Sequence, residues 1–191
     1  MPHKFHADHL ARLMSSERRQ ELPPDAILRQ SGLAPGQTLV DIGVGPGFFA
    51  LPAARLVGPK GRVFGLDVSP VMLAALRKNA GAAELANIRA VRITETAPAL
   101  PPAADVYLIV NTFHEFDEPA AYLAALRRAM TSASRLVIVD FLKKKTPSGP
   151  PLADRIPLSR MGSILRAAGF EVLKVFRPND AEYGVVARRR S

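Results

Sequence analysis

Residues 40–50 read Val-Asp-Ile-Gly-Val-Gly-Pro-Gly-Phe-Phe-Ala, and Asp67 stands twenty positions after the last of those glycines. An apolar run, residues 38–42, leads into the glycines, and an apolar helical pattern, residues 48–57, leads out of them. A second apolar run, residues 62–66, ends on Asp67. Strand, glycine turn, helix, strand and terminal carboxylate make one half of a nucleotide-binding α/β sheet. Glycine at 43, 45 and 47 permits a tight turn and lets backbone approach a ligand with no Cβ between them. A carboxylate at the tip of the second strand can accept from both hydroxyls of a ribose. The segment therefore predicts a nucleoside-bearing ligand.

The flanking sequence extends this unit into a whole domain. Residues 6–20 have helical spacing at Leu10, Leu13 and Met14 and predict an N-terminal helix outside the sheet. Pro23 and Pro24 break it, and residues 25–31 predict a second short helix. After Asp67, Ser69 is an N-cap with Pro70 at the first helical position, and the helix runs to about Ala80. Strands are expected over 88–93, 105–110 and 135–141, the second an almost unbroken apolar run of the kind a central parallel strand shows. Helices are expected from Pro119 to near Met130 and over 157–168. The last two strands, 171–176 and 182–188, are so close in sequence that they must pair as an antiparallel hairpin. The expected fold class is α/β: a Rossmann-like seven-stranded sheet, mostly parallel with an antiparallel C-terminal hairpin, and helices on both faces.

The chain contains no cysteine, which excludes disulfides, cysteine zinc sites and iron–sulfur clusters. It also excludes methyl transfer through a cysteine nucleophile or to thiolate-held arsenic. No apolar stretch approaches the ~18 residues needed to span a bilayer, and residues 1–20 lack the apolar core of a signal peptide. A cytoplasmic protein is expected. The net charge of +9 lies wholly in residues 123–191, with 14 Lys and Arg against 5 Asp and Glu. Such an excess suits an anionic substrate, nucleic acid or membrane surface, or is a set of solvated helix faces. No aromatic residues are interleaved with it, as a single-strand binding face requires.

Two ligands compete for the glycine loop. A dinucleotide fingerprint, G-x-G-x-x-G, needs glycine at 48, where this chain has Phe48. The pattern here is D-x-G-x-G-x-G, and Asp41, two residues before the first glycine, would repel a pyrophosphate. It suits a ligand with an ammonium group and no phosphate, and S-adenosylmethionine is one. Asp67 has a second reading as the cap of the helix that follows it.

The chain from about residue 38 to 188 resembles the class I S-adenosylmethionine-dependent methyltransferases. Within them it is similar to the small type 11 group, relatives of the ubiquinone/menaquinone C-methyltransferases. The closer likeness lies in Asn111-Thr-Phe-His-Glu-Phe, in Val139-Asp-Phe with Gly149-Pro-Pro-Leu, and in His3-Lys-Phe with its helix. The resemblance implies that Asp41 organises the methionyl ammonium and that Gly43, Val44 and Gly45 offer backbone to the methionyl part. Gly47 would allow close helix–strand packing, and Asp67 would hold the ribose hydroxyls. Val68 and Met72 would lie against adenine, although Met72 also fits a core stripe with Leu73 and Leu76. Thr94, Glu95 or Thr96 would accept from the adenine amino group, and Asn111 would meet the ammonium. Residues 1–36 would form a helical cap over the cofactor and substrate site, with residues 37–191 as the cofactor-binding domain.

The reaction implied is in-line displacement at the methyl carbon, for which the protein supplies alignment and a dry pocket. His114 and Glu115, just beyond Asn111, are the candidate general bases, with Asp140 a weaker third; structural capping by His114 is the alternative. Neighbours on an extended strand point apart, so both face one site only if the chain turns there. An Asn/Asp-Pro-Pro-aromatic motif for amide or exocyclic base nitrogens is absent. His3, His6 and His9 read as a solvated helix face rather than a metal site. The best remaining acceptor is a small organic molecule, to which Lys143–Lys145 and Arg155 would lend a preference for anions. An RNA or protein methyltransferase using the basic C-terminal third, or a dinucleotide-binding or catalytically silent nucleotide module, stay open as alternatives.

Overall fold

The computed structural model describes residues 10–94 and 100–190. The chain divides into two compact units, residues 1–94 and 95–191. Its seven strands form one sheet in the order β3-β2-β1-β4-β5-β7-β6.

In the first unit, β1 (Thr38–Ile42), β2 (Arg62–Asp67) and β3 (Ile88–Arg92) are parallel, with Val40 beside Phe64 and Gly65 beside Ala90. The crossovers carry α4 (Ala50–Val57) and α5 (Pro70–Ala82), whose apolar stripes close over the strands. Leu39, Ile42, Val63, Leu66, Leu73 and Leu76 are all fully buried. Each withdraws apolar surface worth roughly 1.5–3 kcal/mol. Ser69 caps α5, its hydroxyl accepting from the Met72 N–H with Pro70 at the first helical position. Helix α3 (Pro24–Ser31) starts on a proline and stops at Gly32 in the left-handed conformation. The single helix expected over 6–20 is broken within its described part, into α1 (Leu10–Leu13) and α2 (Ser16–Glu21). Ser15 is extended there, and its hydroxyl accepts from the Arg18 N–H. Serine satisfies a helix start better than a helix interior, which is why the break falls at Ser15.

In the second unit, β4 (Val106–Val110) and β5 (Arg135–Phe141) are parallel, and β7 (Glu182–Arg189) runs antiparallel to β5 and to β6 (Phe170–Phe176). The expected closing hairpin is therefore present, with β7 the inner strand. Phe176 lies against Gly184 across the strand pair, where a Cβ would fall 2.2 Å from the ring. Helix α6 (Pro119–Ala129) precedes β5 and α7 (Leu158–Ala167) precedes β6.

The glycine loop holds a packing constraint as well as a conformational one. Gly47 has φ +98, and a Cβ there would lie 2.3 Å from Leu51 Cδ1 and 2.6 Å from Leu76 Cδ1. This left-handed residue also delays α4, which begins at Ala50 rather than Phe48. Gly45, at φ +54, faces open space. Gly47→Ala is expected to destabilise the fold by about 2–4 kcal/mol, combining overpacking with backbone strain. Gly45→Ala is expected to cost about 1–2 kcal/mol from strain alone. Urea denaturation of both variants checks the ranking, which equal losses would refute.

Candidate functional site

At the tip of β1 the Asp41 side chain is 3% exposed, and its Oδ2 has no hydrogen-bond partner. Burial, reinforced by the charge of Asp67 and opposed by that of Arg18, pushes its carboxyl up to about 7. Asp67, at the tip of β2, is better supplied. Its Oδ2 accepts from the Gly45 N–H at 2.9 Å and its Oδ1 from the Ser69 N–H at 2.9 Å. Burial raises its pKa, against the lowering effect of these backbone hydrogen bonds. A carboxylate can accept about four hydrogen bonds, so capacity remains for two ribose hydroxyls. The cap of α5 is Ser69, and Asp67 closes the turn before it by accepting from the Ser69 N–H.

The N–H groups of the glycine loop, residues 43–47, are taken up by the protein's own acceptors. Gly43 and Val44 both donate to Leu66 O at 2.9 and 3.0 Å, Gly45 to Asp67, and Gly47 to Val44 O at 3.1 Å. Pro46 has no N–H. Residues 43–47 therefore present no free N–H to a ligand. What the loop can offer a ligand is acceptors, namely backbone carbonyls and the unpartnered Asp41 oxygen. Such a surface fits a cation.

Around the loop, Val68 is 40% exposed next to Asp67, whereas Met72 is 3% exposed and belongs to the core stripe. Thr94 is exposed, one residue beyond Ile93, whose N–H bonds to Asp67 O. Glu95 and Thr96 lie outside the described residues, as do His3, His6 and His9. Among the described residues no group of three or more His, Cys, Asp or Glu is placed to hold a metal. No described helix is long and apolar enough to cross a membrane. Arg18 and Arg19 of α2 stand over the Phe48 ring, their guanidinium carbons 4.5 and 5.5 Å from its centroid.

In the second unit the end of β4 carries a second set of groups. Asn111 is left-handed at φ 53, its N–H bonded to Val139 O at 2.9 Å. Its Nδ2 donates to Glu182 Oε1, and its Oδ1 is buried without a partner. A carboxylate can only accept, so Glu182 fixes which end of the amide is presented. Residues Phe113–Glu115 then form a 3₁₀ turn, the condition under which His114 and Glu115 can serve one site. Phe113 anchors the turn against Phe116, which stacks on Tyr122. His114 Nδ1 lies 2.8 Å from Oδ1 of Asp140, a fully buried residue of β5, and the His114 N–H donates to Asp140 Oδ2 at 3.2 Å. His114 Nε2 is 3.8 Å from Glu115 Oε1, the two side chains being 7% and 41% exposed. Burial alone would lower the imidazole pKa. The hydrogen bond and charge of Asp140, with Glu115 and Asp154, outweigh it and raise the value above that of free imidazole.

Arg155 departs from expectation. It is buried, with Nε donating to Pro150 O, Nη1 to Leu142 O and Lys144 O, and Nη2 to Ser148 O. Its guanidinium knits the loop after β5 and stacks on Phe141, so it is not presented to an anionic acceptor. Lys143–Lys145 are exposed.

Residues 39–133 match the family model described as a methyltransferase domain. A solved S-adenosylmethionine-dependent methyltransferase from Aquifex aeolicus superposes with a TM-score of 0.90 at 30% identity, over 96% of this chain and 98% of that one. The chain belongs to the S-adenosylmethionine-dependent methyltransferases. Aklanonic acid methyltransferase DauC of Streptomyces sp. strain C5 is 34% identical over 94 residues, 49% of this chain and 42% of that protein. The ubiquinone/menaquinone biosynthesis C-methyltransferase UbiE of Marinomonas sp. strain MWYL1 is 27% identical over 121 residues, 62% of this chain and 48% of that protein. The chain spans less than half the length of these two curated relatives.

In this methyltransferase the structure brings Asp41, the glycines and Asp67 together in one unit, and Asn111, His114 and Glu115 in the other. Sequence reasoning missed Arg18 and Glu182 and did not pair Asp140 with His114. The signal for Glu182 is a charged residue opening the apolar run 183–187.

The raised Asp41 pKa has two consequences of opposite sign. Without ligand, the folded state holds this proton more tightly than the unfolded chain. The group's contribution to stability is present below the ordinary carboxylate range and is lost as pH rises through about 7. Asp41→Asn should therefore melt above wild type at pH 8, the gap narrowing by pH 5, in thermal scans without ligand. An ammonium-bearing ligand needs the ionised form, so wild-type affinity for S-adenosylhomocysteine should fall about tenfold per pH unit below that pKa. A flat titration profile would contradict both.

Proposed function

We propose that the chain transfers a methyl group from S-adenosylmethionine to a small organic acceptor by in-line displacement. The observation that carries this reading is the unpartnered Asp41 oxygen beside residues 43–47, whose N–H groups are bonded within the protein. That combination fits the ammonium of an amino acid moiety and opposes a pyrophosphate, which disfavours the dinucleotide alternative. When bound, the cofactor supplies an electrophilic methyl carbon on a sulfonium.

Asp41 accepts from the ammonium, joined by carbonyls of Gly43, Val44 and Gly45; in the second unit Asn111 Oδ1 is a further acceptor in want of a donor. Asp67 accepts from the ribose hydroxyls. Val68 covers adenine, whose amino group is left to Thr94 or Glu95; Met72 contributes from the core beneath. Gly47 keeps α4 and α5 close to the loop, and α1–α3 serve as the cap. His114 is the general base and Glu115 adds negative charge beside its Nε2. A small acceptor is supported by relatives named for small molecules, DauC and the nocamycin O-methyltransferase of Saccharothrix syringae. It is supported further by the basic third of the chain, where Arg188 pairs with Glu171 and Arg189 donates to Met130 O. Those guanidinium groups are tied to the protein's own acceptors rather than arrayed toward RNA.

Isothermal titration calorimetry against S-adenosylmethionine, S-adenosylhomocysteine and NAD(H) tests the reading. Binding to the two sulfur ligands and none to NAD(H) is expected, and the reverse pattern would overturn it. Asp67→Ala should weaken S-adenosylhomocysteine at least about tenfold, the loss of about 1.4 kcal/mol.

A further inference from the structure

We propose that His114 and Asp140 form a base dyad whose substrate is a neutral, weakly acidic hydroxyl, such as a phenol or an enol, rather than a carboxylate or an amine. The proposal rests on the methyl-transfer reading above.

The dyad is built from the backbone outward. Asp140 is fully buried on β5, and its carboxylate is held by three groups: the His114 ring, the His114 N–H and the Phe141 N–H at 2.8 Å. The carboxylate can only accept, so the ring proton of the neutral imidazole is on Nδ1 and the lone pair on Nε2. Only Nε2 is then able to take a proton. Glu115 Oε1 stands 3.8 Å from it, too long for a hydrogen bond. Asp140 is thus a positioning residue and His114 the catalytic one. The neighbouring hydroxyl of Tyr183 donates to Ile156 O at 2.9 Å.

The charges around the ring select the acceptor. Asp140, Glu115 and Asp154 all act on His114, and the buried cation of this unit, Arg155, is enclosed by four loop carbonyls. Three negative groups repel an anionic reacting group and favour the imidazolium that forms as a proton is taken. A neutral amine is already nucleophilic and needs no base, whereas a neutral hydroxyl does. The step is balanced. The hydroxyl proton goes to Nε2 while the acceptor oxygen forms its bond to the methyl carbon. The methyl–sulfur electron pair stays with the departing thioether, and the imidazolium later releases its proton to solvent.

The test is nitrogen NMR of the full-length chain saturated with S-adenosylhomocysteine, the His114 signals being assigned by their loss in His114→Gln. Wild type should show an Nδ1–H tautomer and a bare Nε2. Asp140→Ala removes the acceptor that holds the Nδ1–H, so the Nε2–H tautomer should gain population with S-adenosylhomocysteine affinity unchanged. Unaltered tautomers would overturn the dyad. Phenol should shift the Nε2 signal and benzoate should not. An equal or larger shift with benzoate, or none with phenol, would overturn the acceptor class. For any acceptor found by screening with labelled cofactor, Asp140→Asn should lower kcat about 100-fold or more at little change in KM. Failure of wild type to bind S-adenosylhomocysteine would instead sink the methyl-transfer reading itself.

Discussion

A carboxylate taken out of water must find donors or give up its charge, and among the described residues four are buried on strands. Asp41 and Asp67 end β1 and β2, and Asp140 and Glu182 stand at the paired ends of β5 and β7. Three are supplied by the protein. Asp67 draws on two backbone N–H groups, Asp140 on the His114 ring and N–H, and Glu182 on the amides of Asn111 and Asn179. Asp41 is supplied least, and its pKa is raised accordingly. In the first unit the parallel strands β1 and β2 bring Asp41 and Asp67 to the same edge, the one at which α/β folds hold their ligands. The functional chemistry follows from which of these carboxylates remains in want of a partner.

Each satisfied carboxylate also orients a neighbour. Asp67 draws the Gly45 N–H inward, which removes a donor that a phosphate cradle would present. Asp140 fixes the tautomer of His114. Glu182 fixes the polarity of Asn111 and is itself fixed by Asn179, which closes the turn by accepting from the Ala181 and Glu182 N–H groups. The hairpin that marks the fold thus also sets the polarity of an amide at the end of β4.

The strands, the glycine loop and the closing hairpin were legible because their signals are local: apolar runs of strand length, glycines with φ > 0, and too few residues between β6 and β7 for any other pairing. Asp41 and Asp67 were legible for the same reason, as polar residues ending apolar runs. The His114–Asp140 pair spans 26 residues and Asn111–Glu182 spans 71, so both depend on strand register that no local pattern encodes. The turn at Phe113–Glu115 was missed because aromatic anchoring by Phe116 and Tyr122, not propensity, holds it. Arg155 misled for a related reason: a basic residue in a loop reads as exposed until carbonyls from 142 to 150 are seen to wrap it.

The central claim is that Asp41 lacks a partner because its partner is the ammonium of the ligand. A crystal structure of the complex with S-adenosylhomocysteine tests this most directly. The account predicts the ligand nitrogen within hydrogen-bond reach of Asp41 Oδ2, directly or through one water, with the ribose hydroxyls on Asp67. A ligand seated at the glycine loop with its ammonium elsewhere and Asp41 Oδ2 still unpaired would contradict it.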